Sequence, residues 1–212
     1  MHITRVPPAG RDAALADAAD VLRAGGLVAF PTESFYAIGA DALNPEAVAR
    51  VFAAKGRVST NPLPVIIHDK ALIHKYVRRM DPLAEKAVET LMPGPVTIIF
   101  WATGAFPEAL TAGTGKVGIR VPDHEIAAGL ARALGGPITA TSANMSGMPG
   151  LTEPGEVEKA LGQCIDLLID TGRTPGQPPS TLLDITVSPP VILRYGRVEK
   201  ARIEATLGPL KS

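Results

Sequence analysis

A chain of 212 residues, 46% hydrophobic and 20% charged, has the make-up of an ordinary globular protein and can bury roughly 70% of its unfolded surface without disulfides or metal. Lys plus Arg and Asp plus Glu both number 21, so composition gives no support to a protein that holds nucleic acid by bulk electrostatics, although a local basic patch stays open. The one cysteine, Cys164, excludes an internal disulfide, the N-terminus lacks the basic-then-apolar pattern of a secretory signal, and no run approaches the ~18 apolar residues of a membrane span. These features place the chain in the cytoplasm and off the membrane.

Residues 12–24 put Leu15, Ala18, Val21 and Leu22 on one helical face, and Gly25-Gly26 stops that helix. Leu27–Phe30 is a short apolar strand ended by Pro31. Asn44-Pro45-Glu46 opens a helix with a capping side chain, a tolerated proline and a first-turn acid; it runs to about Lys55, where Gly56 ends it. Leu63–Ile67 reads as a strand, and Asp81-Pro82 starts a helix to about Leu91. Val96–Trp101 and Val117–Val121 are strands. Asp123 is the expected cap of a helix ending at Gly135-Gly136. Ile138–Thr141 is a strand entering the loop TSANMSGMPG, followed by a helix at about 154–161. Ile165–Ile169, Leu182–Thr186 and Val191–Arg194 are the last strands. Interleaved strands and helices indicate an α/β layered domain, read as one unit over 1–212 with a core at about 12–198. The link from 182–186 to 191–194 is too short for a helix, so the sheet is expected to be mixed.

Several motifs are excluded. Gly113-Thr114-Gly115-Lys116 looks like the end of a P-loop, but Val117 stands where Ser or Thr should hold magnesium, and a strand follows. The four histidines and lone cysteine do not make a zinc site, and Cys164 reads as a buried, inert thiol.

Four polar clusters sit at strand or helix ends, where α/β proteins build sites. Pro31–Tyr36 holds two hydroxyls, a carboxylate and a tyrosine. Lys55-Gly56-Arg57, with Ser59, Asn61 and His68 beyond, offers two cations. They suit a polyphosphate or a helix C-terminus equally well. Thr141–Gly147 empties a strand into hydrogen-bonding side chains. In the fourth, Arg120 lies within an apolar strand and needs either an anionic ligand or a structural partner, with Ser180, Thr181 and Arg194 further along. Together they suit a phosphorylated or carboxylated small molecule and name no reaction.

Six blocks in order, PTESFYAIGADALNPEAVARVFAAKGR, NPLPVIIHD, LMPGPVTIIF, VGIRVPDH, PITATSANMSG and STLLDIT…ILRYG, resemble the YrdC-like threonylcarbamoyl-AMP synthase family over about residues 12–198. The chain looks like the short form of that family. The resemblance implies a twisted mixed β-sheet flanked by helices around a large concave site. It also implies a reaction of L-threonine, bicarbonate and ATP to threonylcarbamoyl-AMP and pyrophosphate. A separate transferase complex would then modify a tRNA adenosine. By matching position, Lys55, Arg57, Ser142 and Asn144 would hold the nucleotide, completed by Arg194 and Ser180. Lys55 and Arg57 would neutralise the triphosphate with Mg2+. Thr32, Tyr36, His68 and Arg120 would form the threonine side, with Arg120 on the carboxylate. No organic cofactor is implied. Ser34, Phe35, Ala37 and Ile38 depart from the family's usual first block, and Ala37 resembles a YciO-like paralogue. A double-stranded-RNA-binding protein of the same fold is the other alternative, given Lys70, Lys75, Arg78 and Arg79.

Overall fold

The computed structural model describes residues 2–5, 10–56 and 61–211; Arg57 and Ser59 lie outside them. The strands are β1 (His2–Arg5), β2 (Val28–Pro31), β3 (Tyr36–Gly39), β4 (Val65–Ile66), β5 (Val96–Trp101), β6 (Lys116–Arg120), β7 (Ile138–Thr139), β8 (Thr141–Ser142), β9 (Leu167–Asp170), β10 (Thr181–Asp184) and β11 (Val191–Arg194). The α-helices are α1 (Arg11–Arg23), α2 (Pro45–Ala54), α3 (Pro82–Leu91), α4 (Glu108–Thr111), α5 (Glu125–Leu134), α6 (Pro154–Leu161) and α7 (Lys200–Leu207). A 3-10 helix covers Lys70–Lys75.

The expected single mixed sheet is two mixed sheets. One has the order β1-β9-β2-β3-β8 and the other β11-β10-β5-β6-β4-β7. In the first, β9 runs parallel to β1 and β2, while β3 is antiparallel to β2 and β8. In the second, β5 runs parallel to β10 and antiparallel to β6, and the short β10–β11 link makes the antiparallel pair foreseen from its length.

The sheets meet where the expected strand 138–141 breaks at Ala140. Residues 138–139 join the second sheet beside β4, and residues 141–142 join the first beside β3. The Ala140 amide donates to the Pro64 carbonyl at 2.9 Å, and the Thr139 amide and hydroxyl tie to Ala40. One stretch of chain therefore belongs to both sheets.

Two hydrophobic clusters hold this arrangement. In the smaller, Leu15, Ala18 and Leu22 of α1 and Ile126 and Leu130 of α5 cover Val28, Phe30, Leu167 and Ile169 of the first sheet. The larger one includes Val48, Val51 and Phe52 of α2, Val88 and Leu91 of α3, and Ile98, Ile119 and Leu183 of the second sheet. The helix spacing produces these stripes, as the sequence implied for α1.

Local chemistry explains the helix ends. Asn44 Oδ1 accepts from the amides of Glu46 (2.9 Å) and Ala47 (3.2 Å), and Asp81 Oδ1 from Ala84 at 2.9 Å. The cap of α5 is His124, not Asp123: its Nδ1 accepts from the Ala127 amide at 3.4 Å. The expected strand 63–67 contracts to β4, because Leu63 bonds to Leu110 instead of a sheet neighbour. Strands β1 and β3, the 3-10 helix, α4 and α7 were not foreseen. Cys164 is exposed in a turn after α6, so the reading of a buried thiol in a strand is wrong. Among the described residues no helix is long and apolar enough to cross a membrane.

Burial pulls the His124 imidazole below its ordinary pKa, while Glu33 opposes that shift. The unfolded chain thus binds this proton more readily than the folded one. The contribution is full above the unfolded pKa of about 6.5 and is lost as pH falls through the folded value. Urea midpoints measured from about pH 7 to pH 5 should therefore fall more steeply for the native protein than for His124→Asn, which keeps a cap that does not titrate. Equal slopes would remove His124 from the acid response.

Candidate active site

Between the two sheets lies a cavity of about 770 Å³. Its floor follows from strand alternation. Thr97 and Ile99 of β5, Lys116, Gly118 and Arg120 of β6, and Leu182 and Asp184 of β10 line it. The intervening Ile98, Phe100, Val117, Ile119 and Leu183 enter the core. The register sets Leu182 beside Thr97 and Asp184 beside Ile99, with Ile99 opposite Gly118. Glycine at 118 keeps the floor low, since a Cβ there would stand 3.0 Å from Thr97 Cγ2.

The opposite wall comes from the first sheet and its loops, through Phe30, Thr32, Phe35, Ala37 and the Ser142–Asn144 segment. Thr32 closes a tight turn: its hydroxyl donates to the Phe35 carbonyl at 2.7 Å and accepts from the Ser34 amide at 3.1 Å. Ser34 is buried and donates to the Pro178 carbonyl at 3.0 Å. The Phe35 ring lies against Gly150, where a Cβ would come within 2.5 Å of it. Of the four departures in the first block, Ser34, Phe35 and Ala37 are part of the cavity wall and Ile38 is not. Tyr36 also contributes, but its hydroxyl is spent on the Gly172 carbonyl at 2.7 Å, and burial raises its pKa.

Lys55 makes contacts that the sequence did not reveal. It is 3% exposed and does not line the cavity. Its ammonium donates to the Ser142 carbonyl at 2.6 Å and to the Asn144 carbonyl and Oδ1, both at 2.9 Å. Asn144 Oδ1 also accepts from the Ser142 hydroxyl at 2.7 Å, and its Nδ2 donates to the Met148 and Pro149 carbonyls. Lys55 thus braces the Ser142–Asn144 loop from behind, and the loop faces the cavity.

At the floor, Arg120 pairs with Glu33, the two side chains being 12% and 13% exposed, and its Nε donates to the Gly94 carbonyl at 2.9 Å. Of the two explanations open for Arg120, the ion pair is present. Even so, Arg120 also lines the large cavity. Arg194 donates to the Ser180 carbonyl at 2.9 Å and hydroxyl at 3.2 Å, and Ser180 shares a 2.8 Å hydrogen bond with Thr97. Partial burial of the guanidinium and the charge of Arg120 lower the Arg194 pKa, so two like charges face one space. A second cavity of about 210 Å³ lies beyond, lined by Glu33, Asp123, Arg197 and Arg202 and sharing Arg120.

The structure thus brings Thr32, Tyr36, Arg120, Ser142, Asn144, Ser180 and Arg194 around one cavity. His68 is outside that lining, with a buried Nδ1 that has no hydrogen-bond partner among the described residues. Two lining residues were missed: Lys116 and Asp184 form an ion pair at 3.1 Å, and Lys116 lies 5.0 Å from the centre of the Trp101 ring. Lys116 had been weighed only as part of a failed P-loop, although alternation from Arg120 back through Gly118 puts it on the cavity face.

Comparison with known proteins agrees with this geometry. The Sua5/YciO/YrdC family model, described as telomere recombination, matches residues 20–196, and the chain belongs to that family. A threonylcarbamoyl-AMP synthase of Pyrococcus abyssi is 38% identical over 194 residues, 92% of this chain and 57% of the relative. One of Bacillus subtilis is 40% identical over 200 residues, 94% of this chain and 58% of the relative. The crystal structure of P. abyssi Sua5 complexed with L-threonine superposes with a TM-score of 0.92 at 36% identity, covering 99% of this chain and 61% of the other. The chain therefore spans less than two thirds of the length of these relatives.

Replacing Lys55 by Met keeps the packing but leaves three loop oxygens short of a donor. Each unsatisfied buried acceptor costs about 1–3 kcal/mol. Hydrogen exchange of the 142–146 amides should accelerate by about 10-fold or more, with α1 and α5 unchanged. Unchanged exchange in that loop would show that Lys55 does not support it.

Proposed function

We propose that this chain forms threonylcarbamoyl-AMP and pyrophosphate from L-threonine, bicarbonate and ATP. The observation that carries the reading is a single cavity with Arg120 on its floor, Arg194 at its edge and the Lys55-braced Ser142–Asn144 loop on its wall. Identity of 38% and 40% to relatives named threonylcarbamoyl-AMP synthase supports it, as does likeness to a structure holding L-threonine.

The threonine amine forms a bond to the carbon of CO2 and gives up a proton, or displaces water from bicarbonate, and either route gives a carbamate. A carbamate oxygen then attacks the α-phosphorus of ATP, the bond to the β-phosphate bridge breaks, and pyrophosphate leaves. No side chain need become a covalent nucleophile, so the protein's contribution is positioning and charge stabilisation. Arg120 takes the threonine carboxylate, and Thr32 and Tyr36 shape the space around it, with His68 behind the first layer. Ser142, Asn144, Ser180 and Arg194 orient the nucleotide. Arg57 meets the triphosphate, and Lys55 acts on it through the loop it holds.

Mg2+ would enter with ATP and offset charge on the departing pyrophosphate. Among the described residues no group of three or more His, Cys, Asp or Glu is placed to hold a metal ion. In the cell this reading puts the chain in the cytoplasm, supplying a transferase complex that completes N6-threonylcarbamoyladenosine in tRNA.

Phe35 and Ala37 in the cavity wall keep the YciO-like reading open, as a change of substrate within the same site. The basic cluster offers RNA less than its sequence suggests, because Lys70 pairs with Glu89 and Arg78 donates to the Ala102 carbonyl at 2.7 Å.

Purified protein with ATP, Mg2+ and bicarbonate should release pyrophosphate only when L-threonine is added, with the adenylate detectable by mass. Lys55→Ala should cut turnover by ~100-fold or more, the scale typical of losing a preorganised charge-stabilising group. Threonine-independent behaviour of folded, ATP-binding protein would reject this reading and favour another substrate.

A further inference from the structure

The Glu33–Arg120 pair stands between the two cavities: Arg120 lines both, and Glu33 lines the smaller. Each member keeps an unused face. Arg120 spends Nε on Gly94 and Nη2 on Glu33, while Nη1 makes no hydrogen bond among the described residues. Glu33 gives Oε1 to Arg120, while its Oε2 is buried without a described partner. A counter-ion for a half-buried guanidinium would explain the pair itself. It does not explain a carboxylate oxygen left without a donor, which native interiors rarely tolerate.

An α-amino acid supplies what both faces lack, since carboxylate and ammonium share one carbon. A plain carboxylate on Arg120 would instead sit beside the negative charge of Glu33 and leave its Oε2 without a donor. Arg197 and Arg202 of the small cavity temper that repulsion and Asp123 adds to it, so the discrimination rests on the unpartnered Glu33 oxygen. We propose that Glu33 is a specificity-determining residue that accepts the ammonium of a zwitterionic substrate and rejects anions lacking one. This rests on the reading in which Arg120 takes the threonine carboxylate, and it assigns the amine end of that same substrate. Selection of this kind works as much by repelling the wrong ligand as by holding the right one.

Calorimetric titration of the full chain with a non-hydrolysable ATP analogue present separates the possibilities. The two ligands are L-threonine and 3-hydroxybutyrate, which is threonine without its amine. The native protein should favour threonine by at least ~10-fold, given the cost of juxtaposed like charges. In Glu33→Gln that ratio should collapse towards one, as threonine weakens and 3-hydroxybutyrate tightens. Glu33→Asp, which keeps the charge, should preserve the preference even where both ligands bind less well. Equal weakening of both ligands in Glu33→Gln, or an unmoved ratio, would overturn the role of Glu33 alone. Absence of threonine binding to the native protein would overturn the proposed function and this inference with it.

Discussion

The cavity depends on one break in a strand. At Ala140 the chain leaves the second sheet and enters the first: the Ala140 amide makes a last bond in the β4–β7 register, to the Pro64 carbonyl, and Pro64 has no N–H to return. Had 138–142 run on as one strand, Ser142 would have stayed beside β4 and the two sheets would have had no shared edge there. The break lets the first sheet stand over the second, with polar loops filling the gap. Thr139 secures the crossing by using both its amide and its hydroxyl on Ala40, so the junction satisfies its buried polar groups.

Buried charge is the second constraint. An ammonium removed from water costs several kcal/mol unless its donors are met, and Lys55 meets this condition by taking oxygens from the loop that begins at the break. The same three bonds fix the Ser142 and Asn144 carbonyls, and with them the direction of the side chains facing the cavity. A residue that the family resemblance places on the nucleotide is thus bound up with the shape of the cavity wall. Position and charge are coupled here, so a loss at Lys55 moves both.

Much of this was legible in sequence, and what was not has local causes. α3, α6, β5 and β11 fall where turn and cap residues put them, because Asp81-Pro82 and the apolar run 96–101 carry their own signals. The fold class was legible, and Thr32, Tyr36, Arg120, Ser142, Asn144, Ser180 and Arg194 share one cavity. β3 was hidden because Tyr36–Gly39 is buried throughout and shows no alternation beside a polar turn. The split of 138–142 was hidden because two-residue strands have no period to detect. The hold of Lys55 on the Ser142–Asn144 loop was hidden because a helix-end cation looks alike in sequence whether it points to solvent, ligand or loop. Arg57 lies outside the described residues, so its position does not enter that comparison.

Equal totals of acid and base spoke only against bulk electrostatics and left a local basic patch open, and the cavity gathers Arg120, Arg194 and Lys116 within one concavity. Each of these cations is held by protein acceptors: Arg120 by Glu33 and Gly94, Lys116 by Asp184, and Arg194 by Ser180. This pairing stabilises the empty protein without saturating the guanidiniums, whose forks retain donors. A polyanionic ligand entering such a site need not find bare charges; it needs donors already fixed in direction, in a place where solvent is scarce. Those are the conditions under which positioning and preorganised charge lower a phosphoryl-transfer barrier most, and they arise here from alternation along three strands and not from any contiguous motif.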